Sequence, residues 1–169
     1  MALDLFTTDL GLQRLPLEDA DVFYSPHIDI GQKETAVTEE LIQSTPWRSE
    51  NVTVWGKTFP QPRLIAWYGA SDATYKYSGI ELNALPWTPL LEDLRNRVER
   101  ICDAQFNSVL LNYYRDNRDS MGFHSDDEPE LGSRPVIASL SLGETRTLTF
   151  KPKHSKRLKP VHIKLESGS

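Results

Sequence analysis

Cysteine is almost missing: Cys102 is the only one among 169 residues. One thiol cannot build an intramolecular disulfide framework or a cysteine-based zinc finger. It suits a reducing, intracellular setting, cytoplasmic or, in a eukaryote, nuclear. There is no run of 18 apolar residues, so no membrane-spanning helix and no membrane partner are expected. The N-terminus, Met1-Ala2-Leu3-Asp4, lacks both a basic segment and a long apolar stretch, so it does not read as a secretory signal. An excess of positive charge is lacking too. The formal net charge is −5, which argues against sequence-blind polyanion binding by the whole surface.

What is present supports one domain. Apolar residues are 38% of the chain, and its 16 aromatics (4 Trp, 6 Tyr, 6 Phe) can anchor a core. The charge is uneven. Residues 1–50 carry three Lys/Arg against ten Asp/Glu, and residues 111–169 carry ten against eight. Lys151, Lys153, Lys156, Arg157 and Lys159 form a short basic run around His154. Such a run contacts phosphates or is a solvated loop, and composition leaves both readings open.

Hydrophobic spacing divides the chain. Thr35 to Gln43 reads as a helix, with Thr35 and Thr38 as cap candidates and Pro46 as its stop. Val52 to Trp55 alternates as a strand, with Gly56-Lys57 as a turn, and Leu64 to Tyr68 is a second extended run. Thr88 is a natural N-cap for a helix beginning at Pro89, whose missing N–H costs nothing there. Leu90, Leu91, Leu94, Val98 and Ile101 then recur at helical spacing. From Asn107 the period becomes two. Strands are expected at Ser108 to Tyr114, Ile137 to Leu142, around Leu148 and Phe150, and from Val161 to Leu165. A mixed front and an all-β back describe an α+β protein with half of an antiparallel sandwich or barrel.

The chemistry centres on His124-Ser125-Asp126. Residues two apart on an extended segment point the same way, so one imidazole and one carboxylate can share a metal ion. Alone this spacing is weak. Four histidines and 24 acidic residues give about half a match by chance, and His27-Ile28-Asp29 is a second match. Context separates them. His27 lies in the unpatterned acidic front, whereas His124 follows the strand bearing Asn112 and Tyr114.

Asn112-Tyr113-Tyr114, then His124-Ser125-Asp126-Asp127-Glu128, then Ile137-Ala138-Ser139-Leu140-Ser141-Leu142-Gly143 resembles the AlkB family of Fe(II)/2-oxoglutarate dioxygenases. Upstream, Val52-Thr53-Val54-Trp55-Gly56-Lys57, Pro62-Arg63, Trp67-Tyr68-Gly69 and Tyr75-Lys76-Tyr77-Ser78-Gly79 resembles the nucleotide-recognition lid of its nucleic-acid dealkylating branch. The resemblance covers residues 45–169. It implies a double-stranded β-helix, or jelly roll, with flanking helices. Residues 1–44 would be an N-terminal extension, 45–85 the lid, and 86–169 a helix and partial β-core.

The resemblance also implies iron held by His124 and Asp126, and 2-oxoglutarate held in part by Asn112 and Tyr114. Amide and phenol groups suit that cosubstrate, since they donate to a carboxylate without adding a charge that competes with the metal. Dioxygen is the other cosubstrate. The implied reaction is oxidative demethylation of alkylated bases in DNA or RNA, releasing formaldehyde, succinate and CO2. The base must leave its stack to react. By resemblance, Arg63, Tyr75 and Tyr77 contact it, and Trp55 fills the gap left behind. Asp127 and Glu128 would face a cationic methylated base or an exocyclic amine. Read without the family, Trp55 is equally a core aromatic, and Asp127 and Glu128 a solvated loop.

In the family, a second iron-binding histidine and two arginines follow the segment that Leu165-Glu166-Ser167-Gly168-Ser169 matches. They would lie beyond residue 169, so the domain is expected to be C-terminally incomplete, its last core strands missing. His154 and His162 are not expected to substitute. The alternatives are an inactive nucleic-acid-binding module and an oxygenase acting on another substrate. A monomer is expected.

Overall fold

The structure is a computed structural model. It describes residues 11–18, 20–54, 57–70, 74–77, 80–126, 131–132, 134–153, 155 and 157–169, with backbone alone for 52–54, 74–77 and 80–83. The strands are β1 (Gln13–Arg14), β2 (Phe23–Tyr24), β3 (Asn51–Val54), β4 (Lys57–Pro60), β5 (Leu64–Gly69), β6 (Thr74–Tyr77), β7 (Ile80–Asn83), β8 (Ser108–Tyr113), β9 (Arg146–Phe150) and β10 (Val161–Leu165). The helices are α1 (Glu34–Ser44) and α2 (Pro89–Cys102). All five strand pairs, β1–β2, β3–β4, β5–β8, β6–β7 and β9–β10, are antiparallel and two-stranded. The fold is α+β, as its sequence periods indicate. Among the described residues no sheet exceeds two strands.

The chain forms two compact units, one of residues 39–138 and one of residues 1–38 with 139–169. In the first, β5 pairs with β8 from Leu64↔Tyr113 to Gly69↔Ser108. Residues 65–69 are all buried, so β5 reads as a continuous apolar run rather than an alternating one. Ile65 and Trp67 form a core cluster, with Ala84 and Leu110 packed against it. Arg48 and Ile65 exchange backbone hydrogen bonds, and the Trp47 ring tilts against Tyr113 at 5.3 Å.

Helix α2 forms as its sequence requires. Thr88 is extended (φ −91°), and its hydroxyl accepts from Leu91 N, the third helical residue. Leu90, Leu91 and Leu94 are buried. Arg97 bonds Asp93 at 2.9 Å, and the Arg95 guanidinium stacks 4.6 Å above Trp87. Asp103 ends the helix in the left-handed region (φ +47°).

In the other unit, β9 and β10 pair from Arg146↔Leu165 to Phe150↔Val161. Tyr24 donates to the Lys164 carbonyl at 3.0 Å. Ile30 and Val37 are fully buried.

Two expectations are corrected. Thr35 and Thr38 lie inside α1 rather than capping it, and the Thr38 hydroxyl bonds back to the Glu34 carbonyl. Ile137 to Leu142 is not a strand. Among the described residues, Ser141 alone in this segment exchanges backbone bonds, giving its N–H to Ser169 O and accepting from Gly168 N. Alternation specifies which side chains share a face, but a ladder also needs successive backbone partners. Val136 and Ile137 are exposed.

Candidate metal and cosubstrate site

The candidate residues stand on β8 and the loop after it. Ladder pairing with β5 sets Asn112 opposite Ile65, where Asn112 is exposed. Tyr114 follows the last β8 residue and is half-buried. Asn112 and Tyr114 therefore occupy alternate positions of one extended segment at the end of the pair.

The chain then turns through residues 115–123. The Asp116 carboxylate accepts from Arg118 N (2.8 Å), Nε (3.2 Å) and Nη2 (2.7 Å), an aspartate-initiated turn closed by an ion pair. Arg115 donates to the Asp119 carboxylate from N (2.9 Å), Nε (2.7 Å) and Nη2 (2.9 Å). These bonds, the side-chain ones first, hold the Asp119 carboxyl at about 2, well below its ordinary value. Arg118 similarly lowers Asp116. Ser120 N donates to Pro62 O at 2.8 Å, tying this loop to the segment bearing Arg63.

His124 and Asp126 come together at the far end of this loop. His124 Nε2 lies 3.4 Å from Asp126 Oδ1. The other ring nitrogen, Nδ1, lies 2.9 Å from the Gly122 carbonyl. A carbonyl can only accept, so this contact requires the proton on Nδ1 and leaves the Nε2 lone pair facing Asp126 in the neutral ring. Two ligands bound cis at about 2.1 Å to one octahedral ion sit about 3 Å apart. The donor atoms therefore fit as two positions of a metal site after a small closure, with the tautomer already selected by a backbone carbonyl. Both residues are exposed, so an ion can reach them. Among the described residues no group of three His, Cys, Asp or Glu converges.

Arg63 is 4% exposed, and its Nε has no hydrogen-bond partner among the described residues. Both amide atoms of its neighbour Gln61 are buried in the same condition. Tyr75 and Tyr77 stand in β6, paired with Leu82 and Ile80. Trp55, Asp127 and Glu128 lie outside the described residues; β3 and β4 pair from Asn51↔Pro60 to Val54↔Lys57. His162 contacts Thr149 Oγ1 at 2.9 Å. Sequence reading did not single out Arg115 and Asp119. Their only signal was the turn-prone Asp116-Asn117-Arg118-Asp119 run with an arginine four residues before an aspartate.

Residues 23–169 match the family described as the 2OG-Fe(II) oxygenase superfamily, and the chain belongs to it. Within that class it is 44% identical over 131 residues to the alpha-ketoglutarate-dependent dioxygenase alkB homolog 3 of Mus musculus, covering 77% of this chain and 45% of that protein. The Homo sapiens homolog 3 is 43% identical over the same length, with the same shares covered. The DNA oxidative demethylase ALKBH2 of Bos taurus is 42% identical over 124 residues, covering 70% of this chain and 45% of that protein. The chain spans a little under half the length of these curated relatives. Among the described residues, no helix is long and apolar enough to cross a membrane.

Proposed function

We propose that this chain carries the base-recognition lid and part of the iron site of an Fe(II)/2-oxoglutarate-dependent dioxygenase that oxidatively demethylates alkylated DNA bases. The observation that carries this reading is the 3.4 Å approach of His124 Nε2 to Asp126 Oδ1, with Nδ1 held at the Gly122 carbonyl. Membership of the superfamily and similarity to a DNA oxidative demethylase supply the reaction class.

His124 and Asp126 would hold the iron, and Asn112 and Tyr114 would donate to 2-oxoglutarate. Bound iron with 2-oxoglutarate and dioxygen supplies the oxidising power that removes an N-methyl group as formaldehyde. The protein's own residues position the reactants. Tyr75 and Tyr77 in β6 would stack the extruded base, and the β3–β4 hairpin would present Trp55 to the vacated stack. Asp127 and Glu128 would attract a methylated base, whose positive charge an unmodified base lacks. Arg63, whose buried Nε–H has no acceptor among the described residues, would donate to the substrate. A double-stranded β-helix is proposed for the complete core.

The test is formaldehyde and succinate release by the full-length protein, given Fe(II), 2-oxoglutarate and an oligonucleotide bearing one N-methylated base. Release of both in equal amounts, lost with His124→Ala, is expected. Binding of the oligonucleotide without either product would favour a non-catalytic nucleic-acid-binding module instead.

A further inference from the structure

Loops are mobile unless something holds them, yet residues 115–123 must deliver His124 and Asp126 to one point. The structure holds this loop from inside. The Asp119 carboxylate is nearly buried, with 8% of its side chain exposed, whereas the Arg115 side chain is 49% exposed. Arg115 closes a two-pronged guanidinium contact on that carboxylate and adds its own backbone N–H. Bidentate contacts of this kind fix orientation as well as distance. Asp119 N donates to Asp116 O at 3.3 Å, and the next residue, Ser120, is anchored on Pro62 O. The loop is therefore clasped to itself at Arg115, one residue beyond Tyr114, and to the Arg63 segment at Ser120.

We propose that Asp119, clasped by Arg115, is a positioning residue for the metal ligands: it fixes the backbone span from Tyr114 to His124 and so holds the cosubstrate side and the metal side of the site in register. This rests on the iron-site reading of His124 and Asp126. A merely structural ion pair would alter stability and leave the metal's affinity and coordination unchanged.

The experiment uses cobalt(II) as the probe with the full-length protein, below the unfolding temperature of every variant. Calorimetry reads affinity, and the visible cobalt spectrum reads coordination. Arg115→Gln removes the guanidinium but leaves the Arg115 N–H bond to Asp119, and Asp119→Asn removes the charge. Both are expected to weaken cobalt binding about tenfold, the lower end of the effect of outer-sphere residues on metal sites, and to shift the spectrum. Should Asp119→Asn not fold, Arg115→Gln decides alone. Wild-type affinity and spectrum in Arg115→Gln would overturn the proposal. His124→Ala separates the two layers of inference. If it leaves cobalt binding intact, the metal reading fails and the clasp's role falls with it. If it abolishes binding while Arg115→Gln does nothing, only the clasp's role fails.

Discussion

His124 and Asp126 present Nε2 and Oδ1 to each other across 3.4 Å, while the opposite edge of the imidazole rests on the Gly122 carbonyl. This is an oriented pair of donors, because the backbone contact decides which nitrogen remains free. Asp126→Ala removes one donor and leaves the ring in place. Cobalt(II) or iron(II) affinity of the full-length protein is expected to fall at least about 100-fold, since a direct ligand outweighs the outer-sphere range. Calorimetric titration measures it, and unchanged affinity would place the metal elsewhere.

Asp119 gives the chain an acid-sensitive contact. Its carboxyl is held at about 2 by Arg115, against 3.8 ordinarily. As pH falls, the unfolded chain takes up this proton first, so the folded state loses stability. The contribution is complete above about pH 4 and disappears as pH falls through about 2. Denaturant midpoints measured downward from about pH 5 should fall less steeply in Arg115→Gln than in wild type, because the carboxyl then titrates closer to its ordinary value. Parallel curves would remove Arg115 as the cause of the shift.

Local signals were legible in the sequence. Thr88-Pro89 followed by leucines at helical spacing determines α2, because a cap and a periodic face act within one element. The apolar run beginning at Leu64 becomes β5 on a different local signal, an unbroken stretch buried from residue 65 to 69. Pairing was less legible. Ile137 to Leu142 alternates as well as β9 does, yet among the described residues only Ser141 finds backbone partners, since the sequence encodes a face and not the neighbouring segment. The site divides likewise. His124 and Asp126 were legible as a spaced pair. The Arg115–Asp119 clasp depends on how the loop folds back, which no spacing rule specifies.

The Thr88 cap is separable from the site. Its hydroxyl accepts from Leu91 N at 3.3 Å and satisfies a donor that the helix itself cannot. Thr88→Ala is expected to cost about 1 kcal/mol and lower the unfolding midpoint by about 2–4 °C. Thr88→Ser keeps the oxygen and should restore most of the loss. Equal destabilisation by both changes would mean that the threonine methyl, not the cap, is responsible.

Gly168 offers the sharpest test of the unit containing β9 and β10. Its φ of +83° lies where an L side chain is strained. Its carbonyl accepts from Ile28 N at 2.7 Å, and its N–H donates to Ser141 O at 2.8 Å, so the backbone is held from both sides. A Cβ there would stand 2.7 Å from His27 Nδ1 and 3.2 Å from Glu34 Oε1. The imidazole is largely exposed and can swing away, but doing so gives up its 3.4 Å contact with Glu34. Most of the cost therefore comes from the backbone, about 1–2 kcal/mol for a left-handed L residue. Gly168→Ala should lower stability by that amount, and adding His27→Ala, which removes the nearest atoms, should relieve only a small part of it. Full relief in the double variant would show that the ring contact, rather than the positive φ, is what demands glycine.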